Sequence, residues 1–103
     1  MNVYFSNNYL AYLFVTPLED MQGKQEFSTD VIKQFKKKVA ILEAVSATDE
    51  LRQFNSLNFE KLKGNKKDLY SIRLNQQFRL ILRIFEEDVA EAIEVTEISK
   101  HYE

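Results

Sequence analysis

The sequence predicts an α+β fold: two N-terminal helices packed on a small, largely antiparallel twisted sheet. Two patterns and a composition lead there. One-sided helical spacing is confined to the first half of the chain, and strand alternation fills residues 69–98. The 103 residues are 45% hydrophobic, with eight Phe, five Tyr, two Gly and one Pro. Such a chain has material for one compact core, read as a single domain over residues 1–103, and is neither disordered nor low-complexity.

The elements follow in order. Asn2 to Phe5 reads as a short strand. Asn7 or Asn8 can cap a helix through Phe14, which Pro17 stops nearby. Residues 16–27 form a polar connection. Ser28, Thr29 or Asp30 caps a longer helix to about Val45, whose apolar residues Ile32, Phe35, Val39 and Leu42 step by 3, 4 and 3. Lys33, Lys36 and Lys37 lie off that stripe. Thr48 can cap a single turn from Asp49 to Phe54. Four strands complete the chain: Phe59–Leu62, Leu69–Leu74, Phe78–Phe85 and Val89–Ile98.

Composition excludes several chemistries. There is no Cys and only one His, hence no disulfide, thiolate metal site or multi-His site. No metal or cofactor is expected. The apolar run Tyr9–Val15 is too short to cross a bilayer and lacks the flanks of a signal peptide. The expectation is a soluble, cytoplasmic protein with no membrane partner. The net charge of −2 hides a division: −2 over residues 1–23, +6 over 24–85 and −6 over 86–103. A basic middle attracts polyanions, because exposed charges more than ~10 Å apart are screened from one another. The run Lys36-Lys37-Lys38 fits a polyanion contact or a solvated surface equally well.

Strand parity carries the most information. Tyr70, Ile72 and Leu74 share one face, which makes Tyr70 a core residue, while Ser71 and Arg73 take the other. Phe78, Leu80, Leu82 and Ile84 share a face, opposite Arg79, Ile81, Arg83 and Phe85. Directly opposed residues of an antiparallel pair lie on the same side. The connection Asn75-Gln76-Gln77 brings Leu74 opposite Phe78 and Ile72 opposite Leu80, and so sets Arg73 against Arg79. Two opposed like charges need compensation, from acids such as Glu94 or from a bound anion, for which the planar Arg fork is well shaped. Ile81 and Phe85, on that same side, offer a partner an apolar surface or lie beneath the C-terminal tail.

Glu60-Lys61-Leu62-Lys63-Gly64, then Tyr70-Ser71-Ile72-Arg73-Leu74-Asn75, then Phe78-Arg79-Leu80, resembles the HigB-like toxins of the RelE/ParE superfamily. The ending Glu97-Ile98-Ser99-Lys100-His101-Tyr102 is similar to one HigB-like branch. The likeness covers residues 30–103. It implies a RelE-like fold and a type II toxin that cleaves messenger RNA on the ribosome, neutralised by a helix-turn-helix HigA-like antitoxin. Operator DNA would be met only through that antitoxin. The implied chemistry is attack of a 2′-hydroxyl on the neighbouring phosphate, which needs a base, an acid and charge stabilisation.

On this resemblance Arg73 and Arg79 hold the scissile phosphate, His101 moves a proton, and Glu60 stands where some relatives carry a His before the Leu-Lys-Gly motif. Lys61, Lys63, Arg83 and Lys100 supply cations for RNA, and Tyr102 an aromatic ring for a base. Many relatives end in Asp-Tyr-His, where this chain has Ser99-Lys100-His101. Two other roles stay open: a ParE-like, non-enzymatic inhibitor of DNA gyrase, and an inactive antitoxin-binding co-regulator of transcription.

Overall fold

A computed structural model describes residues 1–64 and 68–100 of the chain. Its strands are β1 (Asn2–Phe5), β2 (Glu60–Lys61), β3 (Leu69–Arg73), β4 (Phe78–Glu87) and β5 (Ala90–Lys100), and its helices are α1 (Asn8–Val15) and α2 (Thr29–Ala44). The sheet order is β1-β5-β4-β3-β2. Among the described residues only β1 runs parallel to its neighbour; the other three pairings are antiparallel.

Both helices start where a side chain can take up an orphan amide. The Asn7 Oδ1 accepts from the Leu10 N–H at 3.0 Å, and the Ser28 Oγ from that of Val31 at 3.3 Å. The end of α1 has no basic residue of its own. The Lys36 Nζ of α2 reaches across to it and donates to the carbonyls of Phe14, at 3.0 Å, and Thr16. A cation there suits the negative end of the helix dipole. This lysine is therefore structural, and the triple-lysine run is not a single exposed patch.

The expected stripe Ile32, Phe35, Val39 and Leu42 is wholly buried. It packs with Leu10 and Leu13 of α1 against Ile72, Leu74, Leu80, Leu82, Ile93 and Val95 on one sheet face. Leu51 and Leu57, in short 3₁₀ turns over Thr48–Gln53 and Asn55–Leu57, close the same core.

Some local expectations change. Thr48 begins its turn rather than capping it. The Glu50 carboxylate accepts from the amides of Ser46 and Ala47, and Thr48 is held by Glu91 of β5. Tyr70 is paired on both sides, with Lys61 and Leu82, but it is only half-buried and is stacked on Phe59 with ring centres 5.2 Å apart. The β4–β5 hairpin is longer than its apolar alternation. Pairing continues to Glu87 opposite Ala90, because Asp88 adopts φ 56° and closes a tight turn.

Candidate functional site

The register of β3 on β4 sets Ile72 opposite Leu80 and Arg73 opposite Arg79, as parity requires. Both arginines lie on the sheet face turned away from the helices. Glu60, opposite Ser71, joins them from β2. Together with Asn58, Ser71, Asn75, Gln76 and Phe78 they line a cleft of about 410 Å³.

The turn that carries half of this cleft is fixed by Asn75. Its Oδ1 accepts from the amides of Gln77 and Phe78, each at 2.8 Å, and its Nδ2 reaches Asp30 of α2 at 3.5 Å. The Asn75 carbonyl accepts from the Arg73 Nε at 3.3 Å, which aims that guanidinium. The Arg79 Nε is buried and has no hydrogen-bond partner among the described residues. Such an atom is costly until an acceptor arrives. The only ion pair among the described residues is Arg83–Glu94, at 3.0 Å. Glu94 therefore does not compensate the opposed pair, and the arginines retain their demand for an anion.

A second hollow of about 340 Å³ begins on the far side of Arg79, between Leu62, Leu69, Ile81, Thr96, Glu97 and Ser99. The remaining candidates disperse. Lys61 faces the other side of the sheet, with its Nζ 5.9 Å above the Tyr70 ring. Lys63 is exposed beyond β2, followed by Gly64 at φ 83°, which marks a turn. Lys100 pairs with Phe78 at the end of β5. Arg83 shares the face of Arg79, but it is held by Glu94 and lies 4.5 Å from the centre of the Phe85 ring. Ile81 is buried at 5% exposure, so it is not an open apolar surface. His101 and Tyr102 lie outside the described residues.

Sequence reasoning missed Lys38. It is 6% exposed, and its Nζ donates to the Arg73 carbonyl at 3.1 Å and to the Gln34 Oε1 at 3.3 Å. Its spacing was a usable signal, since position 38 falls three residues after Phe35 and four before Leu42, inside the buried stripe. Burial lowers the ammonium's pKa, and the nearby positive charges of Lys37 and Arg73 push it the same way. Among the described residues no group of three or more His, Cys, Asp or Glu is placed to hold a metal ion. Among those residues no helix is long and apolar enough to cross a membrane.

Comparison with known proteins adds a family to this geometry. A family model described as the RelE-like toxin of the type II toxin–antitoxin system HigB matches residues 4–96. Toxin HigB-1 of Vibrio cholerae is 45% identical over 47 residues, which is 46% of this chain and 50% of that protein. The match thus spans half the length of that curated relative. A YoeB/ParE toxin from Agrobacterium tumefaciens superposes over 99% of this chain and 100% of its own, with TM-score 0.57 and 15% identity. The YoeB dimer from Staphylococcus aureus covers 99% of this chain and 98% of its own, with TM-score 0.55 and 19% identity. At those identities the two structures speak for the fold alone, whereas the family model spans nearly every element described above. The chain belongs to the HigB-like family of RelE-like toxins of type II toxin–antitoxin systems.

Proposed function

We propose that this toxin is a ribosome-dependent endoribonuclease that cuts messenger RNA in the cytoplasm and is silenced by a HigA-like antitoxin. The observation that carries the reading is the arginine pair of the cleft: Arg73 opposite Arg79, with neither in an ion pair among the described residues and the buried Arg79 Nε unsatisfied. A phosphodiester supplies the acceptors this arrangement lacks. In the reaction the 2′-oxygen bonds to the adjacent phosphorus and the bond from phosphorus to the 5′-oxygen breaks. The products are a 2′,3′-cyclic phosphate and a free 5′-hydroxyl.

Charge builds on the non-bridging oxygens during that step, where two guanidinium groups stabilise it. Glu60, on the wall of the same cleft, has a carboxylate that can take the 2′-hydroxyl proton. His101 is assigned the proton delivered to the leaving oxygen. The small number of reactive groups leaves substrate alignment to the ribosome.

The test uses translating ribosomes programmed with a defined messenger RNA. Wild type is expected to cut it and leave cyclic-phosphate ends. Arg79→Ala is expected to slow cutting by about 10²–10³, the usual cost of one lost oxyanion donor. Glu60→Gln and His101→Ala should lower the rate without weakening binding. Intact transcripts with the wild-type toxin would reject the activity, and inhibition of DNA gyrase in a parallel supercoiling assay would replace it with the ParE-like role.

A further inference from the structure

We propose that Lys38, on the helix behind the sheet, is a positioning residue for Arg73 and supplies the cleft with a third positive charge whose counter-charge is the bound phosphate. This rests on the reading of the cleft as a phosphate site. The argument begins with one peptide group. The Leu74 N–H points to the Phe78 carbonyl at 2.9 Å, so the Arg73 carbonyl of the same peptide points the opposite way, toward the β2 side. But β2 pairs only with Tyr70 and Ser71 and ends before reaching it. That carbonyl has no strand partner, and a buried one must find another acceptor–donor match.

Lys38 fills the gap. Its ammonium donates to the Arg73 carbonyl at 3.1 Å and is steadied by Gln34, one helical turn back, at 3.3 Å. The contact fixes the backbone from which the Arg73 side chain departs. The cost is a cation that is 6% exposed with no carboxylate within 4.0 Å among the described residues. A buried charge without a counter-ion is unfavourable, and Arg73 and Lys37 add to the repulsion. A phosphate in the cleft relieves both burdens at once, since its field acts through the low-dielectric strand between them. Methionine or leucine would fill the volume but leave the Arg73 carbonyl without a donor. A neutral donor would serve that carbonyl, and the positive charge is what a phosphate across the strand would use.

The chain has no cysteine, which allows a clean separation of charge from shape. Lys38→Cys is alkylated in denaturant with bromoethylamine or with bromopropane, then refolded. The two adducts match in length and differ in the ammonium. The probe is an uncleavable trinucleotide bearing a 2′-deoxy sugar at the scissile position. The propyl form is expected to bind at least tenfold more weakly, with a shallower salt dependence. The aminoethyl form should restore both, and cleavage on ribosomes should follow the same order. Equal binding by the two adducts would overturn the proposal.

A measurement on unaltered protein stands beside this in case the propyl form does not fold. Adding the trinucleotide should shift the Lys38 side-chain Cε resonance and leave that of exposed Lys37 in place; an unmoved Lys38 signal overturns the proposal. Arg79→Ala separates the two readings. If it binds like wild type, or if wild type itself does not bind, the phosphate cleft falls and Lys38 with it. If Arg79→Ala weakens binding and the two adducts do not differ, the cleft stands and only the role of Lys38 is lost.

Discussion

The two ends of the β4–β5 hairpin carry the same kind of residue on the same sheet face and treat it in opposite ways. Near the open end, Arg79 faces Arg73 of β3 and has a buried Nε with no partner among the described residues. Nearer the turn, Arg83 is ion-paired to Glu94 and lies over the Phe85 ring. Other acids at that end also have work within the fold. Glu87 takes hydrogen bonds from Asn2 and Tyr4, and Glu91 holds Thr48. The acidic end of the chain thereby joins sheet to edge strand and loop, whereas the cationic end is left in want of an anion. Unmet electrostatic demand, rather than charge itself, distinguishes a site from a surface.

The largest expected contrast is between the two arginines. Arg79→Ala should lower ribosomal cleavage by about 10²–10³ with little loss of stability. Arg83→Ala should lower it a few-fold at most. Its pair with Glu94 is 44% and 30% exposed, so its contribution to stability is below about 1 kcal/mol. Cleavage rates with urea denaturation of both variants check this. Comparable rate losses would erase the distinction between the two ends.

Between the ends lies a β-bulge. Leu82 faces Val95 and Ile81 faces Glu97, which leaves Thr96 outside the register. Deleting Thr96 would preserve the alternation, with Val95 inward, Glu97 outward and Ile98 inward. The cost is the hydrogen bond from the Thr96 Oγ1 to the Ile81 carbonyl, at 3.1 Å, or about 1 kcal/mol. The strand would straighten and re-aim the cleft against the hairpin. Cleavage should fall about tenfold or more while the fold persists, as checked by circular dichroism beside the ribosomal assay.

That bulge also marks where the sequence stopped being readable. Period-two alternation located β3 and β4, and a three-residue turn set Arg73 opposite Arg79, because a one-residue slip would have buried arginines. In β5 the same rule puts Ile93 and Val95 inside, but Ile98 has the wrong parity until an extra residue is allowed for. Nothing in the types Val95, Thr96 and Glu97 announces the insertion. The site divided likewise. Arg73, Arg79 and Glu60 converge because strand pairing is a matter of parity. Which arginine Glu94 would neutralise depended on the register of β5, and Lys38 depended on tertiary burial, which overrides the preference of lysine for water. Asn75, the turn's main fastener, was visible only as a spacer between strands.

A smaller effect tests whether Arg83 becomes a site when its partner is removed. Glu94→Gln leaves the guanidinium in place without a counter-charge. Affinity for a non-specific RNA should rise a few-fold and its salt dependence should steepen. Filter binding over a series of salt concentrations measures both. Unchanged affinity would mean that the Phe85 ring and position, rather than Glu94, keep Arg83 out of RNA binding.

The smallest effect belongs to the far end, at the edge strand β1. Hydrogen bonds from Asn2 and then Tyr4 hold the Glu87 carboxyl below its ordinary range, and the same contact raises the Tyr4 hydroxyl. Glu87 therefore binds fewer protons folded than unfolded. Its contribution is complete above the usual carboxylate range and is lost as pH falls through the lowered folded value. Amide protection across Asn2–Phe5, taken relative to the intrinsic exchange rate at each pH, should fall in acid, and Glu87→Gln should remove that pH dependence by weakening the edge at every pH. Both groups lie at the surface, Tyr4 exposed and Glu87 partly so, and the change stays local to β1. The amides of Phe78 to Ile81 serve as the control: if they respond as strongly, the two ends of the hairpin are coupled, and the cationic cleft cannot be treated apart from the acidic turn.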